Sequence, residues 1–174
     1  MIRLALLMIF LAGGALAQET AEPEPPMTYE RLGKIIFALD PDAKPFGPGF
    51  ELKVGDVTVL VVTDINADRM RAMVAIGSAE DLSPADLERV MQANFDSTLD
   101  ARYALANGIL WAAYIHPLSR LDKNQLISGL AQTVNIAKTY GTLYTGGAAE
   151  FEGGDSQDLQ RDLIEELLKK GEEI

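Results

Sequence analysis

Apolar residues along the chain follow two rhythms, and the switches between them lay out a small mixed domain. From Thr28 the spacing is helical. Leu32, Ile35, Ile36 and Leu39 recur at i, i+3, i+4 and i+7, which places them on one face of a helix. Thr28 is a capping residue, and Met27 stands where it can staple onto Leu32. DPDAKPFGPG, Asp40 to Gly49, breaks this helix with three prolines. The period then falls to two. FELKV (Phe50 to Val54) and DVTVLVVTD (Asp56 to Asp64) flank the two-residue turn Gly55-Asp56, so Phe50, Leu52 and Val54 meet Val61, Val59 and Val57. Glu51 and Lys53 take the other side, opposite Leu60 and Thr58. The second strand is therefore apolar on both sides, which suits a central position. A short turn, Ile65 to Asp68, leads into a third strand, RMRAMVAIG, Arg69 to Gly77.

A second helix starts at LSPADL. Ser83 caps, Pro84 takes the first helical position, Asp86 favours the first turn, and Leu82 can staple to Leu87. Leu87, Val90, Met91, Asn94 and Thr98 share a face, with Phe95 beside it. The stretch ALANGILWAAYIHPL, Ala104 to Leu118, then reads as a hairpin, because Asn107-Gly108 is a strong two-residue turn signal. Ala106 pairs with Ile109, Leu105 with Leu110, Ala104 with Trp111 and Tyr103 with Ala112. Tyr103, Leu105, Leu110, Ala112 and Tyr114 fall on one face; Ala104, Ala106, Ile109, Trp111, Ala113 and Ile115 fall on the other. Both faces are apolar, so each needs a cover. Small Ala104 leaves room for the Trp111 indole to lie across the neighbouring strand. A third helix opens with Asp122 as cap, Gln125 closing a capping box and Leu121 stapling to Leu126. It continues through Leu130, Val134 and Ala137 until Gly141.

These elements predict an α+β domain over residues 27–145, with an antiparallel five-stranded sheet and the order α-β-β-β-α-β-β-α. Residues 146–174 form an acidic, glycine-rich linker and a tail helix striped by Leu159, Leu163 and Leu167. The simpler expectation for that helix is a marginal, solvated one; the alternative is a helix that docks onto a partner. The first and third helices can cover one sheet face. The second face is left to the second helix, the tail or another chain.

Composition adds an address. MIRLALLMIFLAGGALA has one early cation, Arg3, an apolar run broken by Gly13-Gly14, and Ala15-Leu16-Ala17 at its end. This is the pattern of a signal peptide cleaved after Ala17, which predicts a periplasmic protein with no integral membrane span after cleavage. Residues 18–26, QETAEPEPP, read as a disordered acidic leader. The chain has no cysteine, so its stability must come from a hydrophobic core. Its net charge is −11, and half of the acidic excess sits after Gly146. An acidic surface without a basic stripe argues against nucleic acid and anionic membranes as partners.

Catalytic signals are sparse. His116 is the only histidine, so a histidine-rich metal site and cysteine ligation are both out of reach. Ser119 and Asp122 are near it in sequence, but no serine sits in a nucleophile-elbow pattern. DINAD, Asp64 to Asp68, opens like a calcium loop, yet Arg69 and Ala75 occupy the positions that need glycine and glutamate; a turn is the better account. The glycine pairs lack phosphate-loop or dinucleotide spacing. The reading is therefore a non-enzymatic protein without cofactor or metal.

The segment MQANFDSTLDARYALANGILWAAYIHPLSRLDKNQLISGLAQTVNIAKTYG resembles the second half of class I type III secretion chaperones (Tir-chaperone-like) and of the YbjN-type family. The likeness rests on Asn94-Phe95 late in the second helix, the turn-centred hairpin, and Pro117-Leu118 with Leu121 before the third helix. It implies the chaperone-like fold, homodimerisation and the binding of protein or peptide segments without catalysis; for YbjN-type proteins it implies a regulatory role. The export leader sets this chain apart from secretion chaperones, which meet their clients in the cytosol. The expected partner surface is Trp111, Ile109, Ile115, Met91 and Phe95, used by a protein or peptide and by a second copy. Two alternatives stay open: a periplasmic hydrolase or transferase using His116 with carboxylates, and a sensor that docks on a membrane protein through its acidic tail.

Overall fold

Side-chain caps start three of the helices. In the computed structural model, which describes residues 24–141 and 157–171, Thr28 Oγ1 accepts the Arg31 N–H and opens α1, Tyr29–Leu39. Ser83 and Asp86 form a reciprocal capping box at the start of α2, Pro84–Asp96. Asp122 and Gln125 form another at the start of α3, Lys123–Lys138. Each box satisfies two donors that the first helical turn leaves without partners.

The strands are β1 (Lys44–Phe46), β2 (Gly49–Val54), β3 (Val57–Asp64), β4 (Arg69–Ser78), β5 (Arg102–Ala106) and β6 (Ile109–His116). They form one antiparallel sheet in the order β1-β2-β3-β4-β6-β5. The register of both hairpins is the one read from the turns: Leu52 pairs with Val59, and Ala104 with Trp111. Asn107 and Gly108 both have positive φ, 54° and 74°, the geometry that a two-residue turn between twisted strands requires. The sheet has six strands, not five. The added strand, β1, lies in the proline-rich stretch that otherwise reads as a pure breaker. It is three residues long and sits at the sheet edge, where Pro45 costs no interior hydrogen bond.

The face of the sheet bearing Phe50, Leu52, Val59, Val61, Met70, Ala72, Leu110, Ala112 and Tyr114 is buried. It packs under a helical layer in which α3 is buried along both its sheet side and its outer side. Gly129 lets α3 come down on Tyr114: a Cβ there would lie 2.4 Å from that ring. The outer side of α3 is covered by α4, Gln157–Gly171, which also packs on α1. Leu163 and Leu167 are buried in this contact, and Lys123 Nζ donates to the Gly171 carbonyl. The tail helix is therefore part of the core, not the solvated helix its charge suggests. Its leucine stripe meets a helix that carries no charged residue from Leu126 to Ala137.

At the start of the described chain, Glu24 pairs with Arg31 and accepts the Lys123 N–H. The Arg31 side chain, then the Lys123 amide, hold its carboxyl below the ordinary range. The leader with its cleavage site, residues 18–23 and the glycine pairs after α3 lie outside the described residues.

Candidate functional site: the uncovered sheet face

Period-two alternation sends every second side chain of β2, β3, β4, β6 and β5 away from the helices, and no described helix covers them. The register aligns Glu51, Leu60, Met73 and Ala113 in one row and Val62, Arg71 and Ile115 in another, and it pairs Lys53 with Thr58 at one side of the face and Ala75 with Trp111 and Ala104 at the other. The centre of this face is apolar. Ile115 is 56% exposed; Leu60, Val62, Met73, Ile109 and Trp111 are half-buried. Two neighbouring depressions mark it. Phe46, Leu60, Ala75 and Trp111 help line one, and Val62, Arg69, Arg71 and Ile115 help line the other. Leu60 of the first and Val62 of the second are successive outward residues of β3, and each depression also reaches the helical side, at Ala137 in the first and Tyr29 in the second.

The Trp111 indole leans over β5 and donates its Nε1–H to the Ala106 carbonyl at 3.1 Å. Its one polar atom is thus satisfied within the protein, which leaves the ring as an apolar surface. The face is also more basic than the chain as a whole. Lys44, Lys53, Arg69 and Arg71 point to it against Glu51 and Asp64.

The structure brings three of the sequence-predicted residues, Ile109, Trp111 and Ile115, onto this face. Met91 and Phe95 stand elsewhere, on α2, and are 67% and 69% exposed. The packed side of α2 is Val90, Ala93 and Asn94, not the Met91 side. Asn94 fixes that rotation: its Oδ1 accepts the Tyr103 N–H at 2.7 Å and its Nδ2 donates to the Tyr103 carbonyl at 3.0 Å. Leu99 and Leu105, in the same α2–β5 region, are exposed as well. Sequence reasoning left out Leu60, Val62, Arg71 and Met73. Their signal was present in β3, which is apolar on both sides, and in the alternation of RMRAM.

The candidates for chemistry are occupied by structural duties. His116 closes β6, stacks on Tyr114 with ring centroids 5.9 Å apart, and has Nδ1 2.8 Å from the Pro117 carbonyl. A carbonyl only accepts, so the proton belongs on Nδ1. Ser119 is bound to Asp68 through its N–H at 2.7 Å and its hydroxyl at 2.8 Å, while Asp122 caps α3. The DINAD turn is held by the same contact: Asp68 adopts φ 50° and its carbonyl accepts the Leu118 N–H. Among the described residues no cluster of three His, Cys, Asp or Glu side chains could hold a metal, and no helix is long and apolar enough to cross a membrane.

No protein-family model matches the chain, and no curated protein does. Among solved structures the chain is similar to one in the HopA1–SchA chaperone–effector complex. The identity is 10% and the TM-score 0.48, over 62% of this chain and 91% of that one.

Proposed function

We propose that this protein is a non-catalytic binding module for protein or peptide segments, exported to the periplasm, with a regulatory role there. The observation that carries the reading is the uncovered, largely apolar face across the central strands β3, β4 and β6. Extended apolar patches on a soluble protein mark interaction sites, and on this one Trp111, Ile109 and Ile115 supply aromatic and branched anchors of the kind that dominate interfaces. Export is supported by the pattern of residues 1–17, which predicts a mature protein beginning at Gln18.

Affinity capture from periplasmic extract tests the module. The expected result is a partner retained by the wild type and by Lys34→Ala, an exposed α1 substitution on the helical side, but lost with Trp111→Ala. Equal retention by both variants would remove the sheet face from the reading. Mass measurement of the protein recovered from the periplasm should place the mature N-terminus at Gln18.

A further inference from the structure

Arg71 is out of keeping with its surroundings. It lies on the central strand β4, two residues from the β3–β4 turn, between Val62 of β3 and Ile115 of β6, with Met73 next on the same side of its own strand. Among the described residues its guanidinium has neither a hydrogen bond nor an ion pair. Asp64 is the carboxylate in the same depression. It accepts the Ala67 N–H within its own turn and stands opposite Arg69. In a chain of net charge −11, the uncovered face has more cations than anions, and its most central cation is unused.

Resting on the binding role proposed above, we propose that this face selects an extended polypeptide segment in which an Asp or Glu side chain is flanked by apolar ones. Arg71 takes the carboxylate. Val62, Ile115, Leu60 and Trp111 take the apolar neighbours. A guanidinium offers a carboxylate two parallel N–H donors, and the aliphatic side chains around Arg71 lower the local dielectric, which strengthens the pair. Apolar side chains stand on both sides of Arg71, Val62 on β3 and Ile115 on β6, so a chain laid across the strands continues past it in both directions; this favours a side-chain carboxylate over a C-terminal one. A polypeptide is favoured over an anionic membrane on electrostatic grounds. A short segment feels the field within a Debye length, about 8–10 Å, where the cations lie. A bilayer plane meets the net negative field of the whole protein.

Trp111 is the only tryptophan, so its emission reports occupancy of the face. The full protein is titrated with three nine-residue peptides of Val, Ile and Thr whose central residue is Glu, Gln or Lys, with Val or Ile two positions away on each side so that they share its face. The Glu peptide should shift Trp111 emission, with the Gln peptide about tenfold weaker and the Lys peptide weaker still. Arg71→Gln should abolish the preference for Glu over Gln and Arg71→Lys should restore part of it, while Lys34→Ala leaves it intact; circular dichroism checks that each variant is folded. Equal affinity for the Glu and Gln peptides, with emission still shifting, overturns the charge selection and leaves the face as a binding surface. No emission change with any peptide overturns both. Binding of phosphatidylglycerol vesicles more tightly than the Glu peptide overturns the choice of a polypeptide.

Discussion

The Asn94 carboxamide stands where a neighbouring strand would stand. It offers β5 one acceptor and one donor, the same pair that a peptide unit provides, and it meets both groups of Tyr103. Asn94→Ala should cost about 1–2 kcal/mol, the scale of hydrogen bonds lost at a half-buried site. Urea unfolding measures the loss, and hydrogen exchange should show the Tyr103 amide opening first. Asp68 makes a comparable tie between the β3–β4 turn and the segment after β6. The Ser119 amide, then its hydroxyl, hold the Asp68 carboxyl below its ordinary value. A lowered folded-state value means that the contribution is present above the unfolded value, about 3.9, and is lost as pH falls through the depressed one. Thermal melts should therefore show Tm falling less steeply below about pH 4 in Asp68→Asn than in the wild type. Of these two residues only the location was legible in the sequence. Asn94 stood out within an inward face and Asp68 within a turn, but their partners, in β5 and beyond β6, depend on the closed fold.

The helices and hairpins were legible because their signals are local. Caps at Thr28, Ser83 and Asp122, and turns at Gly55-Asp56 and Asn107-Gly108, act within a few residues and fixed both boundaries and register. What escaped was the work of distant neighbours. β1 exists because β2 offers it an edge, and nothing in KPF alone calls for a strand. The α2 face was rotated away from Met91 by the Asn94 contact. The burial of α4 follows from α3, whose Ile127, Ala131 and Val134 are apolar and buried. A helix uncharged for that length needs covers on two sides, which is the clue the leucine stripe alone did not supply. Asn135, fully buried in the same helix, has no partner for its carboxamide among the described residues, and nothing there explains it. Leu167→Ala should destabilise the whole domain by roughly 2–5 kcal/mol, as at a closed core site, in the same unfolding transition as the sheet. An unchanged transition midpoint would make α4 an appendage after all.

At the scale of the molecule the two apolar surfaces have different characters. The sheet face is broad and carries more cations than anions; the group of Met91 and Phe95 on α2, with Leu99 just beyond it, is a smaller exposed patch. The first suits a segment of another protein. For the second we propose a copy of this chain across a twofold axis, since a homodimer needs only one self-complementary patch. We expect light scattering at tens of micromolar to give a dimer for the wild type and a monomer for Phe95→Glu, with peptide binding at the sheet retained. A wild-type monomer at that concentration would remove the dimer. The hairpin's share of the sheet face was legible at this scale, because pairing across its turn placed Ile109, Trp111 and Ile115 together. Its charge was not, since the cations come from three other strands.

The stopped edges of the sheet set the terms on which anything can occupy its open face. At one end Asn94 fills the hydrogen-bonding positions of Tyr103; at the other, the three-residue β1 contains Pro45, which has no N–H to give. A visiting segment therefore finds little free backbone with which to extend the ladder. It has to be held by what its side chains offer, one contact at a time, so recognition becomes a reading of spacing and charge, with rapid release. A surface of this kind is suited to sampling many sequences and keeping few, and it also protects its owner from being zipped into a growing sheet.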